Sequence, residues 1–222
     1  MVILTKMSDL MWLNILTILM CIPVITAGAA LTAKDYMCLK MVKDEEIGIT
    51  KGFFHSFAQN FKQATVIWLI MAVILGLGIF DVLFAIGLEG EGTTVVRSIM
   101  TALLFFIYIA CIMIFPVLAR FDNTVGGTIK SGLRMTVAIL PRAILMGVLY
   151  LIPAVIGYYF FALVPLVFLF GISGPGYVSA MLYRKAFETV ENKFYEEHPE
   201  AAPETDPVEE AMQEAMRRTE DK

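Results

Sequence analysis

The sequence predicts an all-α fold, a polytopic membrane helical bundle of about five transmembrane helices, with interfacial amphipathic helices in the cytoplasmic loops. Three observations predict it. Of 222 residues, 58% are hydrophobic and 17% charged, against about 45–50% apolar and about 25% charged in a soluble domain. Between Arg142 and Arg184 lie 41 consecutive residues without Asp, Glu, Lys, Arg or His. As helix, that run is roughly 60 Å long, two crossings of a hydrocarbon layer about 30 Å thick. Finally, the basic residues between the apolar segments gather into two loops and leave the others almost empty, the pattern of a membrane protein with a cytoplasmic side.

Five apolar segments mark the spans, at about 10–33, 64–88, 96–118, 138–158 and 161–182. Each reaches the roughly 20 residues a helix needs to cross. Ala27-Gly28-Ala29 resembles a signal-peptide cleavage site, but the first apolar region is long for a signal and its basic flank follows it. It therefore reads as a span. The last two segments are separated by Tyr158, Tyr159 and Phe160, aromatics suited to a membrane interface and to a tight helical hairpin.

Lys34, Lys40, Lys43, Lys51 and Lys62 follow the first segment, and Arg120, Lys130, Arg134 and Arg142 follow the third. Both loops are expected in the cytoplasm. The loop with Glu89, Glu91 and Arg97 and the uncharged aromatic turn are then outside, and five crossings place the N-terminus outside and the C-terminus inside. The domain organisation is a transmembrane domain, 1–183, and an acidic cytoplasmic tail, 184–222. Residues 1–183 carry 11 basic and 9 acidic side chains, and residues 184–222 carry 6 and 12.

In the first loop, Phe53, Phe54, Phe57 and Phe61 recur at helical spacing, with Lys51, His55, Gln59, Asn60 and Lys62 largely between them. The segment either lies in the inner headgroup layer or packs its aromatics on the other helices. Val125, Ile129, Leu133 and Val137 follow four-residue spacing in the second loop, the mark of another interfacial helix. The steps Ile22-Pro23-Val24 and Phe115-Pro116-Val117 hint at a duplicated hairpin. In the tail, Pro199, Pro203 and Pro207 among acidic residues favour disorder, although Asp206, Pro207 and Glu209 resemble a helix start leading to Val208, Met212, Ala215 and Met216.

Catalytic chemistry finds little footing. There are two histidines, His55 and His198, and three cysteines, Cys21, Cys38 and Cys111. No His-x-x-x-His, Gly-x-Ser-x-Gly, Walker-type or paired-cysteine pattern accompanies them. The expectation is a non-enzyme without cofactor or metal.

Charges near lipid are the informative groups, because an ionisable side chain at the bilayer centre costs at least about 2.5–3.5 kcal/mol. Asp81, inside the second segment, is a candidate intramembrane polar site if deep and an outer-surface residue if shallow. Arg120, Asp122, Asn123 and Arg142, where the third span ends and the fourth begins, form a candidate partner-binding or structural polar cluster. Gly171, Gly174, Pro175 and Gly176 permit close helix approach or a kink in the fifth span.

Specific stretches carry a family resemblance. They are Trp12-Leu13-Asn14; Pro23 to Ala29; Tyr36 with Leu39-Lys40-Met41-Val42; Phe54 to Ala64; Ala119-Arg120-Phe121-Asp122-Asn123-Thr124; and Leu140-Pro141-Arg142. In order and spacing this set, over about residues 8–190, resembles the YesL-like family of bacterial integral membrane proteins, a domain of unknown function. The resemblance implies a multi-pass protein of the Gram-positive cytoplasmic membrane, associated with carbohydrate uptake. Its partner would be a sugar transporter of the ATP-binding-cassette type or another membrane protein, besides the lipid bilayer, and nothing points to nucleic acid. Two functions follow as expectations. One is a non-enzymatic accessory or regulatory component using the two cytoplasmic loops; the other is a small-solute transporter or channel subunit acting as a homo-oligomer.

Overall fold

A computed structural model describes residues 2–45, 48–87, 93–121 and 123–197. Among the described residues the elements are helices: α1 (Val2–Cys21), α2 (Ala27–Val42), α3 (Ile49–Ile86), α4 (Thr93–Arg120), α5 (Val125–Ala138), α6 (Leu140–Tyr159), α7 (Val164–Phe170) and α8 (Ser173–Glu197), with single 3-10 turns at Val24–Thr26 and Phe161–Leu163. The fold is the all-α polytopic bundle that the apolar runs demanded. The chain divides into two units, Met1–Arg184 and Lys185–Lys222. Of the second, only the continuation of α8 is described, and the tail signals at Asp206 to Met216 lie outside the described residues.

Among the described residues, four helices are long and apolar enough to cross a membrane, within Leu4–Cys21, Ile49–Ile86, Thr93–Arg120 and Leu140–Tyr159. Phe161–Phe170 with Ser173–Lys193, bent by 53°, makes a fifth if the pair is one span. The protein is thus a membrane protein by the length and apolarity of its helices.

The first expected span, 10–33, is not one helix. Pro23 supplies no backbone N–H and disfavours helical geometry at Ile22, so α1 stops at Cys21. The Thr26 hydroxyl closes the turn, 2.5 Å from the Met20 carbonyl and 2.8 Å from that of Pro23. The chain then reverses, and Lys6 near the start of α1 meets Asp44, just past the end of α2, at 2.5 Å. α1 and α2 are therefore an antiparallel hairpin whose two open ends lie together. The expected single span 10–33 is thus a helix, a break and a second helix that returns alongside the first. Pro116 behaves differently: it is buried inside α4, which continues to Arg120, so the two Pro-Val steps do not build equivalent hairpins.

Residues 34–42 are not loop but the last turns of α2, and the connection to α3 is confined to residues 43–48. α3 has 38 residues, about 57 Å of helix, much more than one crossing requires. Its first turns carry the phenylalanine series inward. Phe53 is fully buried, and Phe57 and Phe61 pack on the core formed by Ala29, Ala64, Ile67, Cys111, Phe115 and their neighbours. Packing on other helices, one of the two readings of that series, is the arrangement found for these three rings.

Small residues set the closest helix approach. A Cβ on Gly28 would stand 2.5 Å from the Ala64 carbonyl oxygen and 2.6 Å from Trp68 Cβ. With Ala27, Ala29, Ala30 and Ala33 also buried, α2 lies against α3 almost backbone to backbone.

Candidate functional site

α2 is enclosed by other helices: 13 of its 16 residues are buried, including Lys34 and Asp35, which are 2% and 3% exposed. Burying two charges is costly unless each meets an opposite charge and further hydrogen bonds. Lys34 Nζ lies 2.7 Å from Asp35 Oδ1 and donates to the Tyr150 hydroxyl of α6 at 2.6 Å. It also stands 4.8 Å from the centre of the Tyr150 ring, within cation–π range. Successive helical residues point about 100° apart. The long lysine side chain must fold back to meet its neighbour, and the contact is an ion pair rather than an aligned hydrogen bond.

The pair forms the polar end of a cavity of about 280 Å³. Leu31 of α2, Trp68 and Leu75 of α3, Tyr108, Cys111, Ile112 and Phe115 of α4, and Tyr150 of α6 complete its walls. The volume is close to the lower end of the roughly 300–1,000 Å³ typical of small-molecule pockets, which are largely apolar with a few placed polar groups. The Tyr108 hydroxyl already donates to the Gly147 carbonyl at 3.2 Å, and the Cys111 thiol lies 3.3 Å from the Met71 sulfur. Trp68 differs. Its indole nitrogen is buried without a hydrogen-bond partner, and an indole N–H is a donor only. Tyr150 accepts from Lys34, so its own proton remains to be donated.

The broken helix α7–α8 packs beside this site. At the break, Asn14 of α1 satisfies backbone groups that no helix can: its amide nitrogen donates to the Phe168 carbonyl at 2.7 Å, and its oxygen accepts from the Ile172 and Ser173 N–H groups at 2.9 and 2.7 Å. Ser173 in turn donates through its hydroxyl to the Leu10 carbonyl at 2.8 Å. Three residues on, Gly176 leaves room for the lysine: a Cβ there would lie 3.3 Å from Lys34 Nζ and 3.2 Å from Cys38 Sγ. The Gly/Pro-rich stretch is thus both a bend and a close approach.

The residues singled out from the sequence lie elsewhere. Asp81 is exposed on α3, five residues before its end, and is not on the cavity wall. Arg120 closes α4 and is half-buried; Arg142 is exposed in the first turn of α6. Asn123 is exposed, and its carbonyl accepts from Gln63 of α3 at 2.6 Å. Asp122 lies outside the described residues. Lys34 and Asp35 read as loop charges because they are the first charges after an apolar run, and Trp68 and Tyr150 are not distinguished from the other aromatics of their spans. The available signal was the small-residue run Ala27 to Ala33, a close-packing face leading straight into Lys34-Asp35, followed by apolar Met37, Cys38, Leu39, Met41 and Val42.

Residues 10–82 match the family model described as "Protein of unknown function, DUF624". This stretch contains the α1–α2 hairpin from Leu10 onward and α3 almost to its end, hence Lys34, Asp35 and Trp68 of the cavity. No curated protein and no solved structure matches the chain. By these comparisons the chain is similar, over its first three helices, to a family of unknown function.

Proposed function

We propose that this protein is a non-enzymatic membrane component that binds a small, neutral, hydroxylated solute in the cavity between α2, α3, α4 and α6, and that it serves carbohydrate uptake. The observation that carries the reading is the buried Lys34–Asp35 pair opening onto an aromatic cavity beside the unpartnered Trp68 N–H. The ammonium and carboxylate cancel in charge, which disfavours an ionic ligand. They still present strong donors and acceptors, and charge-assisted hydrogen bonds are about twice as strong as neutral ones. Trp68, Tyr108 and Tyr150 line the cavity with aromatic surface against which C–H groups can pack. A hydroxylated ring compound has both features, and the YesL-like resemblance points to the same class.

The test is equilibrium binding to the detergent-purified protein, followed by tryptophan fluorescence and calorimetry, across monosaccharides, polyols and sugar acids. Binding of a neutral sugar that is lost in Asp35→Asn and weakened in Trp68→Phe supports the proposal. A folded protein that binds none of them at millimolar concentration overturns it. Co-purification with a sugar permease would place the partner; a consistently solitary chain would count against the accessory role.

The second reading, a homo-oligomeric small-solute carrier, is favoured by one observation: the helix break ahead of Gly176 stands against Lys34, where a change of bend would alter the cavity wall. Flux of the bound sugar in reconstituted vesicles selects this reading; binding without flux rejects it.

The orientation proposed for the bacterial cytoplasmic membrane keeps the basic connections and the C-terminal tail inside. Since Lys6 meets Asp44, the start of α1 is inside as well. The hairpin α1–α2 enters and returns, α3 leads out, α4 in, α6 out, and α7–α8 in. Of the 17 basic residues, Arg97 alone is then external, a sharper asymmetry than the original five-crossing arrangement allowed.

A further inference from the structure

The connection from α4 to α6 has a use that the cavity does not explain. α5 is anchored on one face. Gly132 lies so close to α4 that a Cβ would stand 2.6 Å from the Ile114 side chain, the Thr128 hydroxyl is 3.1 Å from the Gln63 amide of α3, and Thr124 caps the helix by accepting from Gly127 N–H at 3.2 Å. Thr128, Gly132, Met135 and Thr136 are buried on that side.

The opposite face carries Lys130, Leu133, Arg134 and Val137, all exposed, with Leu133 at 44% and Val137 at 58%. Their spacing of three and four residues makes one stripe. It holds two cations beside two aliphatic side chains, which open water would not favour. A protein partner could bury the same groups, but the place of α5 between two helices with the length and apolarity of spans favours lipid. A lipid interface accommodates both: aliphatic groups sit at the acyl boundary, and Lys and Arg snorkel to phosphates. Position agrees, since α5 starts where α4 ends and finishes where α6 begins, and both neighbours have the length and apolarity of spans.

We infer that the exposed stripe of α5 is a seat for the phosphate headgroups of anionic phospholipids, with Lys130 and Arg134 binding the phosphate and Leu133 and Val137 the upper acyl chains. Native mass spectrometry of the detergent-purified full chain, titrated with phosphatidylglycerol, phosphatidylcholine or free glycerol phosphate, tests it. The wild type is expected to retain phosphatidylglycerol in preference to phosphatidylcholine. Each cation near an anionic surface contributes about a fivefold factor, so Lys130→Gln with Arg134→Gln should weaken retention about 25-fold. Leu133→Ser with Val137→Ser should weaken it too. Lys51→Gln with Lys62→Gln, which removes equal charge from exposed positions on α3, should not. The inference is overturned if the α5 charge variant retains phosphatidylglycerol like the wild type, if the α3 control loses as much, or if free glycerol phosphate binds as well as the lipid.

Discussion

The ammonium of Lys34 donates to the hydroxyl of Tyr150, 116 residues further along the chain, across 2.6 Å of the buried bundle. This contact ties the central helix α2 to α6. Asp35 supplies the charge that makes it tolerable.

Removing one member of this group should be worse than removing the pair. Breaking a buried ion pair costs about 3–5 kcal/mol, whereas replacing both partners with apolar groups is often neutral. Asp35→Leu is therefore expected to lower the thermal midpoint in detergent strongly, and Lys34→Met with Asp35→Leu to recover most of the loss. Tyr150→Phe, which withdraws one hydrogen bond from a buried charge, should cost about 1–3 kcal/mol. A single Asp35→Leu as stable as the wild type would refute the pairing.

Asn14 should prove essential to the bend between α7 and α8. Asn14→Ala leaves the Phe168 carbonyl and the Ile172 and Ser173 N–H groups without their side-chain partner, at about 1–3 kcal/mol for each group left unsatisfied. Asn14→Asp also removes the donor and buries an unpaired carboxylate against the Phe168 carbonyl, so it should be no milder. Hydrogen exchange at residues 168–173 is the direct readout, faster in Asn14→Ala; unchanged exchange would show that Asn14 does not hold the break.

The glycines can be ranked by what surrounds them. Gly28→Ala drives a methyl against the Ala64 backbone, which cannot rotate away, and should reduce folded yield most. Gly176→Ala meets the flexible end of Lys34 and should be tolerated with a smaller loss, while weakening any ligand held by Lys34. Gly76→Ala, with nothing within 4 Å, should leave folding unchanged or improve it through helix propensity, by about 1 kcal/mol at most. Expression with size-exclusion analysis checks the order.

Cysteine labelling tests the α1–α2 hairpin. In a background lacking Cys21, Cys38 and Cys111, Lys6→Cys and Lys51→Cys should both react with a membrane-impermeant maleimide only after permeabilisation. Thr94→Cys should react in intact cells. Lys6→Cys and Lys51→Cys reacting from opposite sides would mean that α1 and α2 do not return on themselves.

Much of this protein was decided by composition and order along the chain. Apolar runs too long for a soluble core required helices in lipid, because only a helix satisfies its own backbone there. The glycine cluster at 171–176 was legible as a kink or close approach and the phenylalanine series at 53–61 as either an interfacial or a packed face, whereas Pro23 reads as part of one continuous span, 10–33. The site was not legible in the same way. Lys34 and Asp35 read as the first polar residues after a span, and their burial depends on Tyr150, Trp68 and Gly176 arriving from helices that sequence distance does not connect. Sequence by itself determined which segments leave water, since that is a property of each segment's own side chains. Only the tertiary structure decided that α2 turns back into the centre of the bundle, because a charge can be buried there solely when distant helices supply its partners.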